Sequence, residues 1–323
     1  MGRVVEGNLI WVGANGRSLP QPRMENILIV GTGALGTLFA ARLAGAGHRV
    51  TMLGTWKEGI VALEKDGARL VDSTGNEQCF EVHATDDPRE CAGAQHALVL
   101  VKAWQTERAA NHLNDCLAQD GLAVTLQNGL GNYETLAQIL GAARVALGST
   151  TTGATLVAPG VARAGGEGVV SVQRHEKLVS IESALLSAKF NVHLVEDAQS
   201  LVWGKLVINA AINPLTALLR VPNGELLNRP SARELMSALA REAADVARAE
   251  KIKLPFDDPV AMAKEVARKT AENQSSMLQD VLRGAPTEID AICGAVAKTG
   301  QKHNIETTVN LICWKLVKAL SRS

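Results

Sequence analysis

Apolar and polar positions follow one pattern up to about residue 197 and another beyond it. In the first part, apolar runs at 27–30, 97–101 and 122–126, the last interrupted only by Thr125, are bounded by glycine or polar clusters, as in parallel strands buried on both faces. Residues 37–46 carry helical periodicity and stop at Gly47, and a second strand is expected over 49–53. From 144 the runs at 145–147, 150–157, 161–164 and 169–172 are short and rich in Gly and Thr, which predicts an antiparallel edge. A helix over 181–188 and a strand over 192–195 follow. After 197 strand signals vanish, and helices are expected at 200–212, 232–250, 259–272, 287–302 and 307–320.

The first strand runs straight into G-T-G-A-L-G, residues Gly31, Thr32, Gly33, Ala34, Leu35 and Gly36. In a strand–turn–helix context the first glycine permits the tight turn, the second lets backbone approach a pyrophosphate, and the third lets helix and strand pack closely. The fold expected is therefore α/β: a Rossmann-like dinucleotide-binding domain over 24–196, then an all-helical domain over 197–323. An NAD protein places a carboxylate for the ribose 2′-hydroxyl at the end of the second strand. Here that position reads Gly54, Thr55, Trp56, Lys57, with no acid before Glu58. This favours NADP, with Thr55 and Lys57 as candidates for the 2′-phosphate. Lys102 and Asn128 directly follow two other strands, on the crest where ligands of open α/β sheets bind.

In the helical half, W-G-K-L-V-I-N-A-A-I-N-P over 203–214 reads as an apolar helix with one polar stripe. Lys205, Asn209 and Asn213 are spaced four apart and share a face, while the intervening residues are apolar. The plain alternative is an ammonium snorkelling to the surface beside two solvated amides. Further polar groups collect at 222–225 and 272–280. Glu288 follows Pro286 and Thr287, where a first-turn carboxylate would complement a helix dipole.

Composition narrows the partners. The 33 basic residues balance 33 acidic ones and no Lys/Arg-rich run occurs, which argues against a nucleic acid or a membrane surface and for a small-molecule substrate. No uninterrupted apolar run is long enough to span a bilayer. The five cysteines form no C-x-x-C pair and no metal-ligand cluster, so no metal site is expected and a cytoplasmic location fits. Residues 1–23 lack the basic start and apolar core of a secretory signal and are expected to be a disordered extension.

Taken together, G-T-G-A-L-G at 31–36, K-A-W-Q at 102–105, Q-N-G-L-G at 127–131, the 203–214 stretch, P-N-G-E at 222–225, S-S-M-L-Q-D at 275–280 and T-E-I-D at 287–290 give a chain that resembles the ketopantoate reductases (2-dehydropantoate 2-reductases) from residue 24 to about 320. The resemblance implies NADPH-dependent reduction of 2-dehydropantoate in pantothenate and coenzyme A biosynthesis, on a 6-phosphogluconate-dehydrogenase-like fold. A homodimer is one expectation for its assembly. It further implies Lys205 as the catalytic acid, with Asn209, Asn213, Asn223 and Ser276 holding substrate. The implied cofactor contacts are the glycine loop, Lys102, Asn128, Ala154, Thr155 and Glu288. An ordinary lysine pKa of about 10.4 would keep Lys205 charged at neutral pH. The sequence departs from the resemblance at Thr55, where many members carry an arginine. Two alternatives stay open: a related NADP-linked reductase of another 2-keto acid or an imine, and a protein that senses NADPH without turnover.

Overall fold

The computed structural model describes residues 24–72, 74–166 and 168–320. Within the extension expected over 1–23 it also describes the backbone of three short strands, Gly2–Val5, Asn8–Val12 and Ser18–Leu19, paired antiparallel in that order. The other residues of that extension lie outside the described ones. The chain forms two compact units. One holds Met1–Val101, Gln105–Gln127 and Asn132–Ala198; the other holds Lys102–Trp104, Asn128–Gly131 and Gln199–Ser323. Two crest segments of the N-terminal half thus belong to the helical unit, which linear reading did not foresee.

The first unit is built on eight strands in the order Asn191–Val195, Val169–Gln173, Val145–Thr150, Leu117–Thr125, Ala94–Val99, Asn26–Val30, Arg49–Leu53 and His83–Thr85. The six from Val145–Thr150 to His83–Thr85 run parallel. Central strands fill the core with Ile27, Ile29, Met52, Leu98 and Val124, against which the Ala34–Gly45 helix packs Phe39 and Leu43. The antiparallel edge expected from residue 144 starts later. Val145–Thr150 is buried at every position and pairs in parallel with Leu117–Thr125, as a strand covered on both faces must. Within this sheet the direction reverses at Val169–Gln173, while Ala154–Ala158 and Val161–Ala164 pair antiparallel with each other, as expected. Ala154–Ala158 and Val161–Ala164 leave for a separate sheet with Ala68–Val71 and Glu77–Phe80.

The second unit surrounds the Ala198–Leu219 helix, whose Trp203, Leu206, Val207, Ala210, Ala211 and Leu215 are buried. The amphipathic helix Pro230–Ala249 contributes Met236, Leu239 and Ala243 to the same core, and Cys293–Lys302 and Thr308–Leu320 add Val296, Cys313 and Val317. The central helix outruns its expected end at 212, passing through Pro214. Proline removes the N–H that would reach the carbonyl four residues back, here Ala210. The Cys293 thiol lies 3.9 Å from that carbonyl as a weak donor, and no helix break follows. At 22 residues and mean hydropathy 1.3 this helix is long and apolar enough to cross a membrane by length and composition alone, although Lys205, Asn209 and Asn213 interrupt its apolar run. Two thirds of it is buried inside its unit, as in a core helix.

Candidate active site

Lys205 lies on the central helix one residue after Gly204, where a Cβ would come within 2.7 Å of the Pro255 ring. The glycine lets that neighbour close over the start of the polar stripe. Lys205 and Asn209 are half-buried, and Asn213 is buried. Burial lowers the Lys205 pKa to about 8, and the Glu288 carboxylate pulls the other way. The stripe is therefore not a solvated surface row. The ordinary lysine value expected from the sequence is corrected by the same fact: an ammonium stripped of water is easier to deprotonate.

Glu288 gathers the crest segments. The helix expected from 287 begins only at Cys293, because Ile292 leaves helical geometry at φ −103 and ψ −95. Glu288 thus sits in a turn, 5 % exposed, and is not a first-turn carboxylate. Its Oε1 accepts the Ala103 N–H at 3.1 Å, its Oε2 accepts Asn128 Nδ2 at 3.2 Å, and Lys102 Nζ lies 3.7 Å away. Lys102 Nζ donates to Asp280 Oδ2 at 2.6 Å, and Arg283 donates to the other oxygen at 3.3 Å. Burial pushes the Lys102 pKa down, but Glu288 and Asp280 together outweigh it, so the ammonium is held above its ordinary value. Asp280 is itself raised by burial, against the pull of Lys102.

The Asn128-Gly129 pair has a specific reason for its glycine. At φ +83 a Cβ on Gly129 would meet the Ala291 carbonyl oxygen at 2.6 Å, while the Leu130 N–H donates to the same oxygen at 3.0 Å. The turn and the Glu288 segment are thereby locked together, and Asn128 is held at the carboxylate.

Asn223 is buried. Its Nδ2 donates to Thr270 Oγ1 at 2.9 Å, while its Oδ1 accepts no hydrogen bond among the described residues. Ser276 opens the Ser276–Leu282 helix and is exposed. Its buried neighbour Ser275 caps that helix through Leu278 N–H at 3.1 Å and bonds Thr216 at 2.7 Å. Ser275 and Asp280 had no assigned task in the sequence. The S-S-M-L-Q-D stretch marked the region, but the contacts to Thr216 and Lys102 were not readable from it.

In the first unit Gly33 is the N-cap of the Ala34–Gly45 helix, with no side-chain cap and no acidic residue in the first turn. A Cβ on Gly36 would meet Gly31 O at 2.0 Å, whereas one on Gly33 would meet nothing within 4 Å. The turn thus packs tightly on one side and leaves helix N–H groups open on the other, the arrangement that receives a phosphate. These residues fit a dinucleotide. Ala154 and Thr155 lie on the separate four-stranded sheet, paired with Ala164 and Arg163.

A parallel sheet with an uncapped, glycine-led helix, followed by a helical unit holding a half-buried lysine beside a carboxylate, defines a class: two-unit, dinucleotide-dependent oxidoreductases. Residues 27–177 match the family model "Ketopantoate reductase PanE/ApbA" and residues 197–321 match "Ketopantoate reductase PanE/ApbA C terminal". The chain belongs to the ketopantoate reductase family. It is 34% identical to the 2-dehydropantoate 2-reductase of Halobacterium salinarum, over 92% of this chain and 99% of that one. It is 36% identical to the enzyme of the same name from Archaeoglobus fulgidus, over 92% and 98%. A PanE/ApbA family ketopantoate reductase structure from Ralstonia eutropha JMP134 superposes with a TM-score of 0.86 at 29% identity, covering 92% of this chain and 98% of that chain. D-mandelate dehydrogenase with NADH and anilino(oxo)acetate shares the fold at 24% identity, with a TM-score of 0.85 over 92% and 98%.

Proposed function

We propose that this chain reduces 2-dehydropantoate to pantoate with NADPH, the reaction that serves pantothenate and coenzyme A biosynthesis. The observation that carries the reading is Lys205: a half-buried lysine with a pKa lowered to about 8, on one helical face with Asn209 and Asn213. NADPH, when bound, supplies a hydride equivalent to a ketone. The glycine turn of residues 31–36 holds its pyrophosphate through backbone N–H groups, and Lys102, Asn128, Ala154, Thr155 and Glu288 complete its binding set.

Lys205 is the proton donor. Its ammonium stabilises the negative charge that develops on the substrate carbonyl oxygen and then passes a proton to it. A donor titrating near the working pH gives up its proton more readily than an ordinary lysine while remaining largely charged at neutrality. Asn209 and Asn213 orient the substrate carboxylate and hydroxyl with Ser276, and the open acceptor on Asn223 receives a substrate hydroxyl proton. These contacts act through positioning. Glu288 keeps Lys102 and Asn128 in register and supports the charged form of Lys205.

The test is the loss of NADPH absorbance with 2-dehydropantoate, pyruvate and 2-ketoisovalerate offered separately. Preferred turnover of 2-dehydropantoate is expected. Preference for another keto acid would replace the substrate, and silence with all three would favour a sensor that binds without reacting.

A further inference from the structure

The geometry points to Arg108 as the residue that recognises the 2′-phosphate of NADPH, a role for which the sequence offered only Thr55 and Lys57. The inference rests on the NADPH reading above and names a specificity residue for it.

The sheet places the Asn26–Val30 strand between Arg49–Leu53 and Ala94–Val99, so the turns after these three carboxyl ends are neighbours. The packing is tight. Gly31 N–H donates to Leu53 O at 2.8 Å, a Cβ on Gly31 would stand 3.0 Å from the Leu100 carbonyl, and one on Gly54 would stand 2.6 Å from the Thr32 side chain. Thr55 is therefore beside the dinucleotide turn, at the position where such folds discriminate between a ribose 2′-hydroxyl and a 2′-phosphate. A carboxylate there selects the hydroxyl; an arginine nearby accommodates the phosphate.

No carboxylate occupies residues 54–57. Instead Arg108, in the first turn of the Thr106–Cys116 helix, donates from Nη2 to Thr55 Oγ1 at 2.8 Å. Arg108 is exposed and makes no ion pair among the described residues. A guanidinium fixed at this position by a neutral hydroxyl retains donors for an anion, and its planar fork suits phosphate oxygens in a bidentate manner. Thr55 holds the guanidinium in place beforehand and keeps a hydroxyl proton to offer the same anion. Lys57, which opens the Lys57–Asp66 helix, adds a second positive charge nearby in sequence. The arginine missing from the end of the second strand is thus supplied by the helix after Ala94–Val99, the strand on the other side of Asn26–Val30.

The experiment is calorimetric titration of the full chain with NADPH and, separately, NADH, repeated on Arg108→Met and Arg108→Lys. The wild type is expected to bind NADPH more tightly. Arg108→Met is expected to weaken NADPH by about 10- to 100-fold, the range for one charge-assisted contact. NADH affinity should stay within about twofold, which also reports that the fold is intact. Arg108→Lys should recover part of the NADPH affinity. Equal weakening of both cofactors, unchanged NADPH binding in Arg108→Met, or a wild type indifferent between the two would overturn the assignment while leaving the dinucleotide reading in place. A wild type that binds neither would remove both.

Discussion

The glycine turn of the first unit and the Glu288 cluster of the second are built by opposite means. The turn works with backbone: within six residues Gly31, Gly33 and Gly36 shape a helix end whose N–H groups face outward, with no charged side chain taking part. The Glu288 cluster works with groups brought from far apart. Lys102 meets Asp280 across 178 positions, and Ala103 meets Glu288 across 185. A backbone site depends on conformation and fails when a side chain is added; a side-chain site depends on topology and fails when one is removed.

The largest effect should come from Lys205→Ala, with turnover falling about 10²-fold or more while NADPH binding measured by titration stays close to normal. Near-normal turnover would remove Lys205 from the chemistry. The glycine turn should break in two distinguishable ways. Gly36→Ala drives a methyl into the Gly31 carbonyl, which is backbone and cannot swing aside, and should cost about 2 kcal/mol in chemical denaturation. Gly33→Ala meets nothing and already has an N-cap conformation open to any residue, so stability should move by less than about 1 kcal/mol while dinucleotide affinity drops. Equal stability losses in the two variants would contradict the division between a packing glycine and a binding one.

Smaller again is Asp280→Asn, which takes the 2.6 Å partner from Lys102 but leaves Glu288 at 3.7 Å. The Lys102 side chain is 33% exposed, so a loss of about 1 kcal/mol is expected, less than the 3–5 typical of breaking a fully buried pair. A urea midpoint unchanged from wild type would show that the pair adds nothing to the side-chain site.

These differences also explain what the chain disclosed in advance. The α/β and helical halves, the glycine turn and the polar stripe depend on neighbours within a few residues, and periodicity shows them directly. The helix expected to end at 212 runs on through Pro214 to Leu219, and the Cys293 thiol near the Ala210 carbonyl that the proline leaves unbonded lies 83 positions away in sequence. Glu288 resembled a helix N-terminus because Thr287 and Pro286 are good starting residues, yet the Ile292 backbone delays the helix to Cys293. Arg108 carried no local signal and Asp280 only that of its polar stretch, since each gains its meaning from a partner on another element. Even the lysine stripe was read with the wrong acidity, because desolvation is a property of what packs around it.

That acidity is the most direct test of the account. A proton donor must be protonated to act, and burial brings the Lys205 pKa down to about 8, so activity is present below that value and lost above it. With NADPH saturating, kcat/KM for the keto acid should fall about tenfold per pH unit above a bend near pH 8. A profile that stays level to about pH 10, the range of an ordinary lysine, would contradict the central role given to a desolvated Lys205.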